Sequence, residues 1–239
     1  MKLATIGSRL INRLLPVVPA RYRLPIVYWD HIRLGDCEPE LRFLVKLVSS
    51  RDVALDIGAN KGLYSYPLAN IFSVVHAFEI CPDHCRLLQD YRSPRITLHT
   101  VGLSNRIAEE KLYVPVLPSG WVLDSWASLK SGNCPDAADQ IEKVVEVRPL
   151  DSFGFKQCSF LKIDVEGHEL EVLEGGEKTI SATLPRILIE IREDNVTAVD
   201  RFLARLGYQR VQVEKLLGRK GAEGNYFYLP PQEAASRGL

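Results

Sequence analysis

The chain has 239 residues, 46% apolar and 25% charged, which suits a core of ordinary size and excludes global disorder. Thirty basic residues balance thirty acidic ones, so the basic excess of a general nucleic-acid binder is missing. Five cysteines, sparse and odd in number, fit reduced thiols in a cytoplasmic protein better than a disulfide framework.

Residues 1–29 hold five bases and no acid. Leu3, Ile6, Leu10 and Leu14 recur near helical spacing, which predicts a short amphipathic helix ended by Pro16 and Pro19. Its basic character suits a weak, peripheral hold on an anionic membrane surface. No stretch reaches the roughly 18 apolar residues of a membrane-spanning helix. Residues 40–48 read as a second helix, with Leu41, Leu44, Val45 and Val48 on one face. Residues 1–49 are therefore expected to be a helical extension packed on the main domain.

Residues 53–57, 74–78, 96–101, 158–163 and 186–191 are short apolar runs, each read as a strand. Helices are expected between and after them, at 64–71, 82–91, 169–180 and 196–206. Such alternation implies βαβ units and a doubly wound α/β fold with a mostly parallel sheet. Two last runs, 209–213 and 225–229, read as a hairpin joined across the glycine-rich residues 218–224. One domain over residues 50–231 accounts for these elements, and 232–239 read as a loose polar tail.

Residues 111–149 break the alternation. Strands are expected at 111–116 and 141–147. Between them, 118–140 is rich in turn formers yet carries Trp121 and Trp126. A loop this long is usually functional or disordered, and two tryptophans argue against disorder. A substrate-side wall or lid is the expectation.

The run Asp56-Ile-Gly58-Ala-Asn60-Lys-Gly62 follows the first strand directly. Glycines at a strand-to-helix turn let a ligand approach the backbone, and the helix start offers free N–H groups. A Cβ at Gly58 is expected to fill space meant for that ligand. Position 60 is Asn, so the spacing departs from the dinucleotide fingerprint G-x-G-x-x-G. Glu79 ends the second strand, where a carboxylate can accept hydrogen bonds from two ribose hydroxyls. Together these features point to a nucleoside-containing ligand.

The run Lys162-Ile-Asp164-Val-Glu166-Gly-His168-Glu169 ends the fourth strand. Ligands of open α/β sheets sit beyond the carboxyl ends of the strands, so Asp164, Glu166 and His168 should meet Gly58 and Glu79 at one crevice. His168 is the expected general base, since an imidazole titrates near neutral pH. Asp164 is its closest competitor, and Glu166 is available to fix the imidazole tautomer. Glu190 needs a function or a partner, because an unpaired buried acid is costly. Cys81, His84 and Cys85 offer three soft ligands on one helix face, but no fourth is near and no metal is assigned. A helix start with Pro82 in its first turn explains that segment.

The sequence resembles the FkbM family of S-adenosylmethionine-dependent methyltransferases. The resemblance rests on Leu55-Asp-Ile-Gly-Ala-Asn-Lys-Gly-Leu-Tyr64, Phe78-Glu79, Val101-Gly-Leu-Ser104, Pro149-Leu-Asp151, Leu161-Lys-Ile-Asp-Val-Glu-Gly-His-Glu169, Val172-Leu-Glu-Gly175 and Leu188-Ile-Glu190, and spans residues 50–192. It implies a Rossmann-like methyltransferase fold with a seven-stranded, mostly parallel sheet and a C-terminal antiparallel hairpin. It implies S-adenosyl-L-methionine held by Asp56, Gly58, Ala59, Asn60, Gly62, Glu79, Ser104 and Asp164. It also implies O-methylation of a hydroxyl on a sugar, a glycan or lipooligosaccharide, or a natural product. A monomer or dimer is expected. Two rival readings are a cofactor-binding partner subunit without turnover and a nucleic-acid methyltransferase. The Asp164–His168 cluster speaks against the first. The charge balance and the lack of an Asn-Pro-Pro-Tyr-type motif speak against the second.

Three departures from the family pattern stand out. Pro67 lies early in the first crossover helix, where it should remove a hydrogen bond or kink the helix. Cys81 occupies a place suited to a proline-like turn residue. Thr100 and Gly102 stand where Asn and Ala are frequent.

Overall fold

The structure, a computed structural model, describes residues 14–81 and 83–236. Strands are β1 (Val53–Ile57), β2 (Val74–Phe78), β3 (Ile96–His99), β4 (Gly102–Leu103), β5 (Ala108–Val116), β6 (Asp139–Arg148), β7 (Phe160–Ile163), β8 (Arg186–Glu190), β9 (Gln209–Val211) and β10 (Asn225–Leu229). Seven of them form one sheet in the order β3-β2-β1-β7-β8-β10-β9. The first five in that order run parallel, and β10 is antiparallel to both β8 and β9. This is the mostly parallel, seven-stranded α/β sheet that the alternation and the resemblance imply. The chain turns from β1 towards β2 on one side and returns to β7 on the other. The switch point therefore falls between β1 and β7, where an α/β sheet opens its ligand crevice.

The helices are α1 (Arg23–Leu34), α2 (Pro39–Arg42), α3 (Leu44–Leu47), α4 (Ser65–Ile71), α5 (Arg86–Tyr91), α6 (Glu169–Gly175), α7 (Glu177–Thr183), α8 (Val196–Arg205), α9 (Val213–Leu217) and α10 (Pro231–Ser236). Alternate strand residues feed two cores. Leu55, Ile57, Ile187 and Ile189 pack with Val172, Leu173, Ile180 and Leu203 of α6, α7 and α8. Ala54, Phe160, Leu188 and Phe227 pack on the other face with Leu44, Leu47, Leu68 and Phe72. Each Val, Leu, Ile or Phe among them contributes about 1.5–3 kcal/mol by leaving water. None of the helices formed by the described residues is long and apolar enough to cross a membrane.

Several expectations need correction. Nearly all of the predicted helix through Leu3 and Leu10 lies outside the described residues. The helix α1 was not anticipated; it buries Leu24 and Tyr28, one turn apart, and ends at Gly35 in the left-handed conformation. The predicted helix over 40–48 is broken at Phe43 into α2 and α3. The break turns Val45 out to 58% exposure and puts Leu47 into the core. Leu44 and Leu47 share a core with the sheet, so this stretch is part of the main packing unit. The predicted helix over 169–180 divides at Gly175-Gly176. The last two strands pair antiparallel, as the predicted hairpin requires, with α9 and residues 218–224 in their connection. Residues 231–236 are helical rather than a loose tail; Glu233 accepts hydrogen bonds from Arg186, and Ala234 is buried. Pro67 stands in the first turn of α4. Tyr66 N–H still reaches Gly62 O and Leu68 N–H reaches Tyr64 O, so the proline forfeits only the link between them.

The excursion is a second sheet, in the order β4-β6-β5, with β5 and β6 antiparallel over nine residue pairs. Residues 117–138 fold back over the carboxyl end of the main sheet. Ser128 Oγ donates to Glu166 O at 2.7 Å, and Arg192 Nη1 donates to Asn133 O at 3.1 Å.

Candidate functional site

The glycine turn is fixed from below. Gly58 N–H and Ala59 N–H both donate to Phe78 O at 2.9 Å, pulling the turn against the end of β2. Asp56 lies buried under the turn and accepts the hydroxyl of Ser65 at the start of α4. Burial pushes its carboxyl up to about 6, against the pull of the Ser65 hydrogen bond. Gly58 has φ +77°, and its reason for being glycine is more than ligand space. A Cβ there would lie 1.7 Å from the carbonyl oxygen of Asp164, so the ends of β1 and β7 would collide. Ala59 is buried with Leu24 and Leu88, and a Cβ on Gly62 would stand 2.6 Å from Leu88.

Glu79 is 6% exposed and crosses to the turn. Its Oε2 accepts from Asn60 N–H and its Oε1 from Cys81 N–H, both at 2.7 Å. The second bond explains one departure, because a proline at 81 would have no N–H to give. Space is tight at Gly102: a Cβ would stand 2.9 Å from Cγ1 of the buried Val147 and would also displace the tip of Ile80. His84 lies 3.6 Å from Glu79 Oε1 and 3.2 Å from Asp124 Oδ2. Burial pulls the imidazole down, but the two carboxylates outweigh it and hold it above its ordinary value. His84 thus turns to carboxylates and not to thiols. Cys85 Sγ–H instead points at Cys81 O, 3.5 Å away.

Asp164 follows β7, and its N–H donates to Ile57 O at 2.9 Å. Burial raises its carboxyl, while Lys162, 3.6 Å away, pulls it down. Glu166 sits at φ +52°, a conformation a non-glycine residue adopts only when its surroundings impose it. Burial, reinforced by Asp164, pushes its carboxyl up to about 7. Glu169 fastens this turn by accepting Gly167 N–H and the side-chain amide of Asn195.

His168 is 8% exposed. Its Nε2 is hydrogen bonded with Ser104 Oγ at 3.0 Å, and its Nδ1 faces Glu171 at 3.6 Å. Ser104 is therefore the side chain hydrogen bonded to the ring, Glu171 stands near Nδ1 without a hydrogen bond, and the Glu166 carboxyl pairs with Asn133. Burial lowers the imidazole below its ordinary value.

These groups border two adjoining cavities. The first is lined by Glu79, Ile80, Val101, Leu103, Asp124 and His168. The second, of about 310 Å³, is lined by Glu38, Asp56, Tyr64 and Lys162 among others. Gly58, Asn60, Ser125 and Asp164 border both. The structure thus brings together the glycine turn, Glu79, Asp164, Glu166 and His168, as the sequence predicts, and sets Ser104 behind His168. Sequence reading missed Asp124 and Ser125, carried on the excursion, and Glu38, carried ahead of α2. No spacing signal links those positions to the motifs. Glu190 also finds its setting here. Its carboxylate lies with those of Glu38 and Asp164, with oxygens within 4.8 Å of one another, facing the buried Lys162.

The first cavity, with Glu79 at its rim, opens at the switch point of this sheet, where open α/β sheets bind their ligands. The chain matches the Methyltransferase FkbM domain over residues 56–210. No curated protein matches it. Among solved structures it is similar to the methyltransferase FkbM of Methylobacillus flagellatus, with 21% identity and a TM-score of 0.49, over 76% of this chain and 43% of that one. The chain therefore spans less than half of that protein's length. It is also similar to an rRNA methylase of Streptococcus thermophilus, with 14% identity and a TM-score of 0.46, over 80% of this chain and 93% of that one. A third is a magnesium protoporphyrin IX methyltransferase of Synechocystis with bound SAM, with 10% identity and a TM-score of 0.40, over 96% and 83%. The domain match takes in the glycine turn, Glu79 and the whole run from Lys162 to Glu169, well over half of the sequence, and the chain belongs to the FkbM methyltransferase family.

Proposed function

We propose that the protein is an S-adenosylmethionine-dependent O-methyltransferase acting on a hydroxyl of a sugar, a glycan or lipooligosaccharide, or a natural product. The observation that carries this reading is the pair of cavities meeting at Gly58 and Asp164. The residues of the first fit the cofactor's nucleoside. Glu79 spends one acceptor site of each oxygen on a backbone amide, and a carboxylate has about four. Those remaining suit two ribose hydroxyls, and Ile80, Val101 and Leu103 suit an adenine ring. Asp164, which borders both cavities, and Asp56, which lines the second from beneath the turn, suit the ammonium of the methionine part. When bound, S-adenosylmethionine supplies an electrophilic methyl group on a sulfonium. The chain's own part is to hold the acceptor hydroxyl in line and keep water out, with Ser125 and the folded-back excursion as the wall between the cavities.

The balance of thirty bases and thirty acids favours a small-molecule or glycan acceptor over a nucleic acid. The same reading has the protein work in the cytoplasm as a monomer or dimer, with at most a weak membrane contact through its basic N-terminus. The test is incubation with methyl-labelled cofactor and either a fractionated glycan and metabolite extract or RNA and DNA. Label in an alkali-stable ether of the extract is expected. Label in nucleic acid, or tight cofactor binding with no transfer anywhere, would overturn the proposal.

A further inference from the structure

A hydroxyl is a weak nucleophile, and its proton must leave as its oxygen attacks. Histidine suits that task near neutral pH, and the surroundings of the chain's five histidines differ sharply. His76 and His99 stack on each other with a 3.0 Å contact between ring nitrogens, and neither lines either of these two cavities. His84 stands between two carboxylates. His168 is nine-tenths covered and tied to Ser104.

His31 is the exception. It lines the second cavity together with Gly58, Tyr64, Lys162 and Asp164. It lies in the last turn of α1, where Gly35 takes φ +74° and returns its N–H to His31 O at 3.0 Å. That reversal brings Asp36 back beside the ring, with Oδ1 2.9 Å from His31 Nδ1. A carboxylate can only accept, so Nδ1 carries the hydrogen and Nε2 keeps its lone pair. No described residue engages Nε2. The carboxylates of the cavity are otherwise committed. Glu38 accepts from Tyr64 and Asn225, Asp56 from Ser65, and Asp164 faces Lys162.

We infer that His31 is the base that takes the acceptor's proton and that Asp36 positions it. This rests on the O-methyl reading above. The acceptor oxygen forms its bond to the methyl carbon as the methyl–sulfur bond breaks, the electron pair staying on sulfur. The hydroxyl proton passes to His31 Nε2. The positive charge lost at sulfur is regained on the imidazole, beside the Asp36 carboxylate. A methyl ether and S-adenosylhomocysteine leave, and solvent takes the proton from His31.

The first test needs neither cofactor nor acceptor. Long-range proton–nitrogen spectra of the full chain in mildly alkaline buffer should show His31 protonated on Nδ1 and bare on Nε2, and Asp36→Ala should abolish that preference. The opposite tautomer overturns the inference. Calorimetry with S-adenosylmethionine comes second, and His31→Ala and Asp36→Asn should bind as wild type does. A wild type that does not bind sinks the parent reading instead. Third is label transfer to the hydroxyl-bearing extract. His31→Ala should lower kcat by about 10²–10⁴-fold with KM little changed, and added imidazole should restore part of it. Asp36→Asn should cost about 10–100-fold. His31→Ala turnover above a tenth of wild type, or a loss that imidazole leaves untouched, removes His31 as the base. A wild type that binds cofactor but methylates no hydroxyl removes the role altogether.

Discussion

The backbones of Gly58 and Asp164 touch at the switch point of the sheet: a Cβ on Gly58 would stand 1.7 Å from Asp164 O and 2.8 Å from its carbonyl carbon. Neither atom belongs to a flexible side chain, so the strand ends must separate. The left-handed φ of Gly58 adds roughly 1–2 kcal/mol for any other residue. Gly58→Ala should therefore cost about 2–4 kcal/mol of stability, from backbone strain and overpacking together. That corresponds to a fall in Tm of very roughly 5–15 °C, read by thermal melting without any ligand. A variant that melts like wild type and loses only cofactor binding would restore the simpler reading, in which the glycine serves the ligand alone.

Glu79→Gln tests the rim of the first cavity, proposed above to hold the cofactor's nucleoside. An amide nitrogen cannot accept, so either Asn60 N–H or Cys81 N–H loses its partner. The ribose would lose a charged acceptor at the same time. The expected loss is about 1.5–3 kcal/mol, a roughly ten- to hundredfold weaker S-adenosylmethionine affinity by calorimetry. A nicotinamide dinucleotide should show no tight binding to either protein. Unchanged affinity in a folded Glu79→Gln protein would withdraw the carboxylate from the ligand.

The sheet was legible because strand runs such as 53–57 and 186–191 are short, apolar and bounded by glycine or charge. The glycine turn and the Lys162–Glu169 run were legible because their residue types fit one place in such a sheet. The helix α1 was not, because Pro25 and its β-branched and aromatic residues disguise a helix that tertiary packing of Leu24 and Tyr28 sustains. Glu38, Asp124 and His31 were illegible for another reason. They reach the site through long-range folding of segments that carry no motif. His168 was legible from its place after the fourth predicted strand: it lines the first cavity, and Ser104 hydrogen bonds its ring.

Glu190→Gln isolates a pH dependence. Burial first, and Asp164 second, push the Glu190 carboxyl up to about 8 from an ordinary 4.5, against the pull of Lys162. The folded state therefore holds a proton that the unfolded chain gives up. This contribution is fully present below the unfolded value and is lost as pH rises through the folded one. Burial lowers His76, His99 and His168, and their contribution runs the other way, fading on acidification below about 6.5. Comparing the variant with wild type cancels those histidines. The Tm of Glu190→Gln, relative to wild type, should climb between about pH 5 and pH 8.5. A flat difference would show that Glu190 is ionised throughout.

Lys162 is 1% exposed within β7, its Nζ 3.6 Å from Asp164 Oδ2 and 4.9 Å from the centre of the Tyr64 ring. Glu38, Asp56 and Glu190 also act on it. Burial alone would pull the ammonium down, but these carboxylates outweigh it and hold it above its ordinary value. The cation is thus what lets several acids share one cavity wall. Lys162→Met keeps most of the volume and removes the charge, leaving the carboxylates to repel one another. Breaking a buried ion pair from one side costs about 3–5 kcal/mol, and that loss is expected here. It should shrink as pH falls, because protonation removes the repulsion. Adding Glu190→Gln should recover part of it, since the two positions share one electrostatic cluster and their effects should not add. Lys162→Met with wild-type Tm at pH 8, or a double variant whose losses simply sum, would show that the acids are balanced by something other than this lysine.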